Sequence, residues 1–226
     1  MVLNDDGHTG IFHFDSLTPF SEWPAKITNK IEKGKIDIIM TNPPFGKKCV
    51  IDDKKILQHY HLGHKWEKDD NGIWLETKKV DESRTPDILF IERCLDLLKP
   101  GGRMAIVLPD GILGNNGLEY VRQYILNNAD IVAIIDCPVE LFLPSTDTKP
   151  SLLILKKKKA EGLPQAFDTL MAIAKTCGHD RRGKEIYIRD NEGNTLVVDG
   201  NPVINNDLVE ITRRLIDHVK VRNIYN

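Results

Sequence analysis

The chain has 226 residues, 41% of them hydrophobic and 28% charged, with 31 Lys and Arg against 33 Asp and Glu for a formal charge of −2. This composition excludes disordered, collagen-like and coiled-coil chains, and the near-neutral balance means that any contact with nucleic acid rests on a local basic surface. No apolar run reaches the ~18 residues of a membrane span, and the four cysteines, Cys49, Cys94, Cys137 and Cys177, lack CxxC spacing and read as reduced thiols of a cytoplasmic protein.

Residues 10–15, Gly-Ile-Phe-His-Phe-Asp, predict a short strand ending in an acid, and residues 36–41, Ile-Asp-Ile-Ile-Met-Thr, predict a buried strand that stops abruptly at Asn42-Pro43-Pro44-Phe45-Gly46. Residues 47–84 carry the charged patches Lys47-Lys48, Asp52–Lys55 and Glu67–Asp70 and three histidines, which predicts a functional or disordered loop. A helix is expected to start at Thr85-Pro86-Asp87, with Thr85 as N-cap and Pro86 at the first helical position. It buries Ile88, Ile91, Leu95 and Leu98 and stops at Pro100-Gly101-Gly102. Strands over 104–108, 131–135 and 152–155 and a helix over 118–127, burying Val121, Tyr124 and Ile125, follow in alternation. Such alternation defines an α/β fold with a mainly parallel sheet. Residues 1–159 form the main domain. Residues 160–226 form a small α+β extension with a helix (166–176), a hairpin across Asn191–Asn194 and a helix from Asp207 to Val219, where Asp207 and Glu210 have capping-box spacing.

Chemistry concentrates at Asn42-Pro43-Pro44-Phe45, directly after a buried strand, where open parallel sheets bind ligands. A plain Pro-Pro turn is the alternative. Asn42 offers a side-chain carbonyl, and Pro43 offers a backbone carbonyl with no N–H beside it, so together they can accept both hydrogens of an exocyclic amino group. Phe45 offers a flat face for a planar base.

On this tetrapeptide the chain resembles the amino-methylating DNA methyltransferases, specifically the methylation subunit of type I restriction-modification systems. Asp87–Gly111, the run Ile135–Pro138 with Phe142–Lys149, and Gly178-His179-Asp180-Arg181-Arg182-Gly183 are similar to further segments of that subunit, in the same order. The resemblance implies a Rossmann-like S-adenosylmethionine-dependent methyltransferase sheet. It also implies methyl transfer from S-adenosylmethionine to N6 of an adenine flipped out of double-stranded DNA. Asn42 and Pro43 would hold the amino group, Phe45 would stack on the base, and Pro44 would fix the loop. Asp15, with Ser16 and Leu17, matches the family's acidic position at the end of the third strand, where Asp15 would accept the cofactor's adenine amino group; an Asx turn is the alternative. A specificity subunit, and a restriction subunit, are the implied partners.

The family's glycine-rich turn after the first strand, and its acid after the second, have no counterpart in these residues. The resemblance therefore implies the C-terminal part of a methyltransferase domain, incomplete at its N-terminal side, with a companion chain supplying the front. The rival expectation is an inactive remnant that only binds DNA or a subunit. His59, His61 and His64 read as a solvated loop and not as a metal site. The lysines of 47–55 and Lys156–Lys159 are either solvated surface or phosphate contacts, Arg181 and Arg182 either touch DNA or shape a loop, and Asp110 either lines the site or caps a helix.

Overall fold

The computed structural model describes residues 10–46, 49–159 and 168–221, and its centre is one five-stranded sheet. Strand β1 (Ile36–Thr41) pairs in parallel with β4 (Leu98–Pro109), β6 (Pro150–Lys157) lies antiparallel between β4 and β5 (Ala129–Asp136), and β7 (Leu170–Ile173) adds in parallel to β5. Four of the five strands thus run the same way. Alternate residues Met104, Ile106 and Leu108 of β4, with Leu153 and Leu155 of β6, form one fully buried face. Helices α3 (Pro86–Leu97) and α5 (Glu119–Asn128) cover it with Ile88, Ile91, Leu95, Val121 and Ile125. Helix α6 (Asp207–Val221) covers the other face at β5 through Ile211, Leu215 and Val219.

The two predicted central helices and the strands at 36–41, 104–108, 131–135 and 152–155 are present within a few residues, but the strand at 36–41, expected to be buried, is the sheet's edge, with Ile38 and Met40 exposed. Thr85 and Pro86 take the expected positions at the start of α3, although the Thr85 side chain makes no capping bond. The strand expected at 10–15 is absent: those residues are irregular and lie outside the sheet, whose edge is β1. With no ladder to join, the segment is held by side chains instead. Arg93 of α3 donates to Thr18 O at 2.8 Å and to Tyr60 Oη, Tyr60 Oη donates to Leu17 O at 2.8 Å, and the guanidinium lies over the Trp23 ring at 5.4 Å.

Residues 49–84 are not a loop. They fold into the short helix α2 (Lys54–Leu57; α1, Ala25–Thr28, precedes β1) and a hairpin of β2 (His64–Lys68) and β3 (Trp74–Val80). Its turn is closed by Asp69 Oδ1, which accepts the Asn71 and Ile73 N–H groups. Trp66 stacks on Tyr120 with centroids 5.9 Å apart and Trp74 meets the same ring edge-on at 6.0 Å, so aromatic packing on α5 holds a hairpin whose other residues are charged.

Pro100-Gly101-Gly102 does not end a helix, because α3 already stops at Leu97. The three residues form a bulge in β4: Ile36 pairs with Leu98 but Ile38 pairs with Arg103. A Cβ on Gly102 would stand 3.0 Å from Ile36 O and 2.8 Å from Lys99 O, so only glycine fits beside β1. The helix expected at 166–176 is likewise replaced: residues 160–167 lie outside the described residues, and 170–173 are β7. The hairpin across 191–194 and the last helix are present, but the capping box is not. Asp207 Oδ2 accepts the Lys175 and Thr176 N–H groups at 2.7 and 3.1 Å, and it is Asn206 Oδ1 that accepts the Leu208 N–H. Within the lysine run 156–159, Lys157 Nζ donates to Leu95 O and Leu98 O at the end of α3, and Lys158 Nζ donates to Leu126 O of α5.

The hairpin is bolted to α3 by carboxylates. Buried Glu92 accepts the His61 and Leu62 N–H groups at 2.9 and 2.8 Å, while Glu76 lies 2.7 Å from His61 Nδ1 and 2.6 Å from His64 Nδ1. Burial pushes Glu92 up to about 7 against the lowering pull of those two N–H donors. Burial alone would lower His61, but its bond to Glu76 and the charge of Glu92 outweigh that and raise it above 6.5. Both groups bind protons more tightly folded than unfolded, so their contribution to stability declines as pH rises, for Glu92 between about 4.5 and about 7. The protein is expected to melt at a higher temperature at pH 5.5 than at pH 8, and Glu92→Gln to remove on the order of 1–3 kcal/mol of that difference. Equal pH dependence of the melting temperatures of both proteins would contradict this.

Candidate active site

Parallel pairing of β1 with β4 puts Thr41 beside Ile106, so Asn42–Gly46 leave the sheet on the same edge as Pro109-Asp110 after β4 and Cys137–Phe142 after β5. This is the carboxyl edge of the sheet, the place where open α/β folds bind ligands. Pro43 is buried and anchors the turn, Asn42 and Pro44 are exposed, and Phe45 is half-buried. Gly46 sits at φ +103°, a conformation that L side chains rarely adopt, so the chain can reverse there. The Asn42 side chain makes no hydrogen bond among the described residues, which leaves its carbonyl free for a ligand.

Across from the turn stands Phe142, whose ring centroid lies 6.3 Å from that of Phe45 at an interplanar angle of 48°. It closes the 3-10 turn Val139–Phe142, which follows β5. Sequence reasoning placed Phe142 within a similar segment but gave it no role; the available signal was an aromatic residue just past a second strand that ends on the same edge. Behind the two rings the strand ends are stapled together. Lys149 Nζ lies 2.7 and 2.8 Å from the two Asp136 oxygens, and this pairing raises the lysine above its ordinary range. Lys149 O accepts the Asp110 N–H at 3.0 Å, and Ser151 Oγ donates to Asp110 Oδ1 at 3.4 Å. Asp110 opens α4 (Asp110–Gly114) without capping it. Beside Gly46 a cleft of about 680 Å³ runs between the turn, the hairpin and α4, walled by Trp66, Trp74, Arg84, Pro109 and Tyr120.

The other predicted site residues lie elsewhere. Asp15 Oδ1 accepts the Leu17 N–H at 3.0 Å and Asp15 O accepts the Thr18 N–H and Oγ1, which is an Asx turn; Leu17 is buried and Ser16 half-buried. No hydrogen bond, ion pair or ring contact joins Asp15–Leu17 to Asn42–Phe45 among the described residues. Two of the three loop histidines, His61 and His64, are committed to Glu76, and His59 is exposed. Among the described residues no group of three or more His, Cys, Asp or Glu is placed to hold a metal, and no helix is long and apolar enough to cross a membrane. Lys47 and Lys48 lie outside the described residues.

The turn thus brings an exposed amide, a buried proline and the Phe45–Phe142 ring pair to the carboxyl edge of the sheet. The chain belongs to the N-6 DNA methylase family, whose model matches residues 2–197, and it is a methyltransferase by family. It is 26% identical over 149 residues to the methylase subunit of the type I restriction enzyme EcoEI from Escherichia coli, an alignment that takes in 65% of this chain and 24% of that protein. Among solved structures it is similar to a protein assigned as a class I S-adenosylmethionine-dependent methyltransferase from Listeria monocytogenes (24% identity, 61% of this chain and 36% of that one, TM-score 0.47). It is also similar to the type I restriction-modification methyltransferase subunit from Streptococcus thermophilus (19% identity, 90% and 35%, TM-score 0.44). The chain thus spans about a quarter to a third of the length of these relatives.

The cofactor that the family implies, S-adenosylmethionine, fits the residues present in part. The exposed Asp15 keeps one carboxylate oxygen outside its turn. In the glycine pair Gly101-Gly102, by contrast, Gly102 is packed against the backbone of Ile36 and Lys99 and Gly101 faces the Lys159 side chain, so the pair makes no cradle.

Proposed function

We propose that this chain carries the target-base half of an adenine-N6 DNA methyltransferase site, working as a type I restriction-modification methylation subunit in the cytoplasm. The observation that carries the reading is the exposed Asn42 beside the buried Pro43 in the turn that also brings the Phe45 ring within 6.3 Å of Phe142. An adenine turned out of the duplex costs a few kcal/mol, which stacking and hydrogen bonds in the pocket offset. Its amino group fits between Asn42 Oδ1 and Pro43 O, each accepting one hydrogen. Both bonds draw the nitrogen lone pair out of the ring system and hold it along one direction, so that orientation supplies much of the acceleration. S-adenosylmethionine, when bound, supplies the methyl group, and in the cofactor reading Asp15, flanked by Ser16 and Leu17, accepts its adenine amino group. The proton that N6 sheds leaves on the Asn42–Pro43 side. No nucleophilic side chain is needed.

A base between parallel rings needs about 7 Å between their planes, a little more than the present 6.3 Å centroid distance, so a rotation of Phe142 opens the slot. Phe142→Ala is expected to weaken base stacking by ~1–3 kcal/mol, read as a several-fold to hundredfold loss in kcat/KM and a reduced fluorescence rise from 2-aminopurine at the target position. Unchanged values would remove Phe142 from the site.

In this reading residues 1–159 carry the chemistry and 160–226 brace it. Double-stranded DNA and a specificity subunit are its partners, with a restriction subunit in the full assembly. The cofactor side lies toward β1, whose Ile38 and Met40 are 51% and 81% exposed and which has β4 as its single strand partner among the described residues. One second reading is a module that binds DNA or a subunit without catalysis. Labelled methyl transfer to adenine-bearing DNA, RNA and protein, with the front part of a related subunit supplied in trans, separates the two: transfer to DNA alone supports the enzyme, and transfer to none supports the module.

A further inference from the structure

The turn Gly178–Gly183 has no role in the chemistry above, yet it packs against the element that carries Phe142. Asp180 builds it: Oδ1 accepts the N–H groups of Arg182 and Lys184 at 2.8 and 3.0 Å, and the Asp180 N–H donates to Lys184 O at 2.8 Å. Gly178, at φ +95°, is so tightly seated that a Cβ would meet Ile204 at 3.0 Å. Arg181 then pins the turn in place, with Nε 3.1 Å from Glu140 Oε1. The Glu140 carboxyl is held below the usual carboxylate range, first by its own backbone N–H and then by Arg181. Glu140 stands two residues before Phe142, roughly 7 Å of chain.

Asp180 and Arg181 account for the shape of the turn and for its attachment. Arg182 and Lys184 do neither. Both are exposed, and among the described residues neither side chain makes a hydrogen bond or ion pair. A turn that needs only Asp180 and Arg181 for its structure thus carries two solvent-facing cations, and it is tied to Glu140, two residues before Phe142.

We propose that Arg182 and Lys184 grip backbone phosphates of duplex DNA next to the adenine seated at Asn42–Phe45. This rests on the reading of the Phe45–Phe142 slot as the target-base site. Duplex DNA presents one negative charge per ~1.7 Å of axis, so a flipped nucleotide brings neighbouring phosphates within reach of any side chain a few ångströms from its pocket. With a net charge of −2, the chain cannot draw DNA in by its overall field, and affinity must come from such placed cations. The guanidinium suits bidentate contact with a phosphate and the ammonium suits a point contact.

The test is binding of a short fluorescein-labelled DNA duplex to the full chain by fluorescence anisotropy, across about 50 to 200 mM salt. The double variant Arg182→Ala/Lys184→Ala is expected to flatten the slope of log K against log salt by about 1.8, or about 0.9 for each contact. The control Arg213→Ala/Lys220→Ala removes the same charge from α6 and is expected to leave the slope within experimental scatter. Circular dichroism establishes that both variants fold, and Arg182→Lys should restore its share of the slope. Equal slopes for the wild type and the first variant overturn the proposal while leaving the base-site reading intact. A change seen only with single-stranded RNA also overturns it and assigns the turn to RNA. A folded wild type that binds no DNA defeats the base-site reading and this inference together, whereas Phe142→Ala losing methyl transfer with an unchanged salt slope separates the slot from the turn.

Discussion

Replacing Asn42 with alanine is expected to lower the methyl-transfer rate by on the order of 10²–10³-fold, measured in the presence of whatever front segment restores the cofactor side. The direction follows from differential binding. The amide carbonyl accepts a hydrogen from an amino group whose nitrogen becomes more positive as the new bond forms, so the contact strengthens toward the transition state. Stability should hardly move, since Asn42 is exposed and its side chain makes no hydrogen bond among the described residues. A drop in kcat with little change in KM and in melting temperature is the expected signature. Asn42→Asp separates the two terms: it keeps an acceptor but brings a charge, and should retain part of the activity if acceptance of the hydrogen is what matters. Full activity in Asn42→Ala would mean that the tetrapeptide is only a turn.

Arg93→Ala is expected to act in the opposite way, on the fold alone. The side chain is 4% exposed, donates to Tyr60 Oη at 2.9 and 2.5 Å and to Thr18 O, and lies over the rings of Trp23 and Tyr60. Its removal leaves Thr18 O without that donor and breaks the tie between α3 and residues 15–23. A loss of ~3 kcal/mol is expected, about 6–12 °C in melting temperature for a domain this size. Proteolysis should then cut near residues 15–23 first, because nothing in the sheet holds them. A melting temperature within 1–2 °C of wild type would show that the packing of Leu17 and Trp23 suffices by itself.

The central strands and helices were legible because their apolar residues are nearly continuous or recur at helical spacing, and because Pro86 marks where α3 begins. Asn42–Phe45 was legible as a rare tetrapeptide ending a strand. What was not legible depends on partners distant in sequence. Phe142 matters through a ring 97 positions earlier in the chain. The hairpin of 64–80 was hidden by its charges, although Asn71-Gly72 between Trp66 and Trp74 was a usable turn signal. Leu170–Ile173 has residues that suit a helix, and the open edge of β5 overrides that preference. Residues 10–15 show the converse: an apolar run alone does not make a strand when no neighbour offers a ladder. Asp207 illustrates the limit of local motifs, since its carboxylate turned to Lys175 and Thr176 and left the helix start to Asn206.

The position of β6 carries a consequence for how the molecule is made. It is the middle strand of the five, yet both its neighbours precede it in the chain. Between synthesis of Asp136 and Lys157 a ribosome working at ~5–20 residues per second takes roughly 1–4 s. For that interval β4 and β5 have each emerged with an inner edge that no other element can fill, and their apolar residues stand ready for the wrong neighbour. Nascent chains of this protein should therefore be most prone to misassociation, and most dependent on chaperones, just before the segment Pro150–Lys157 leaves the exit tunnel.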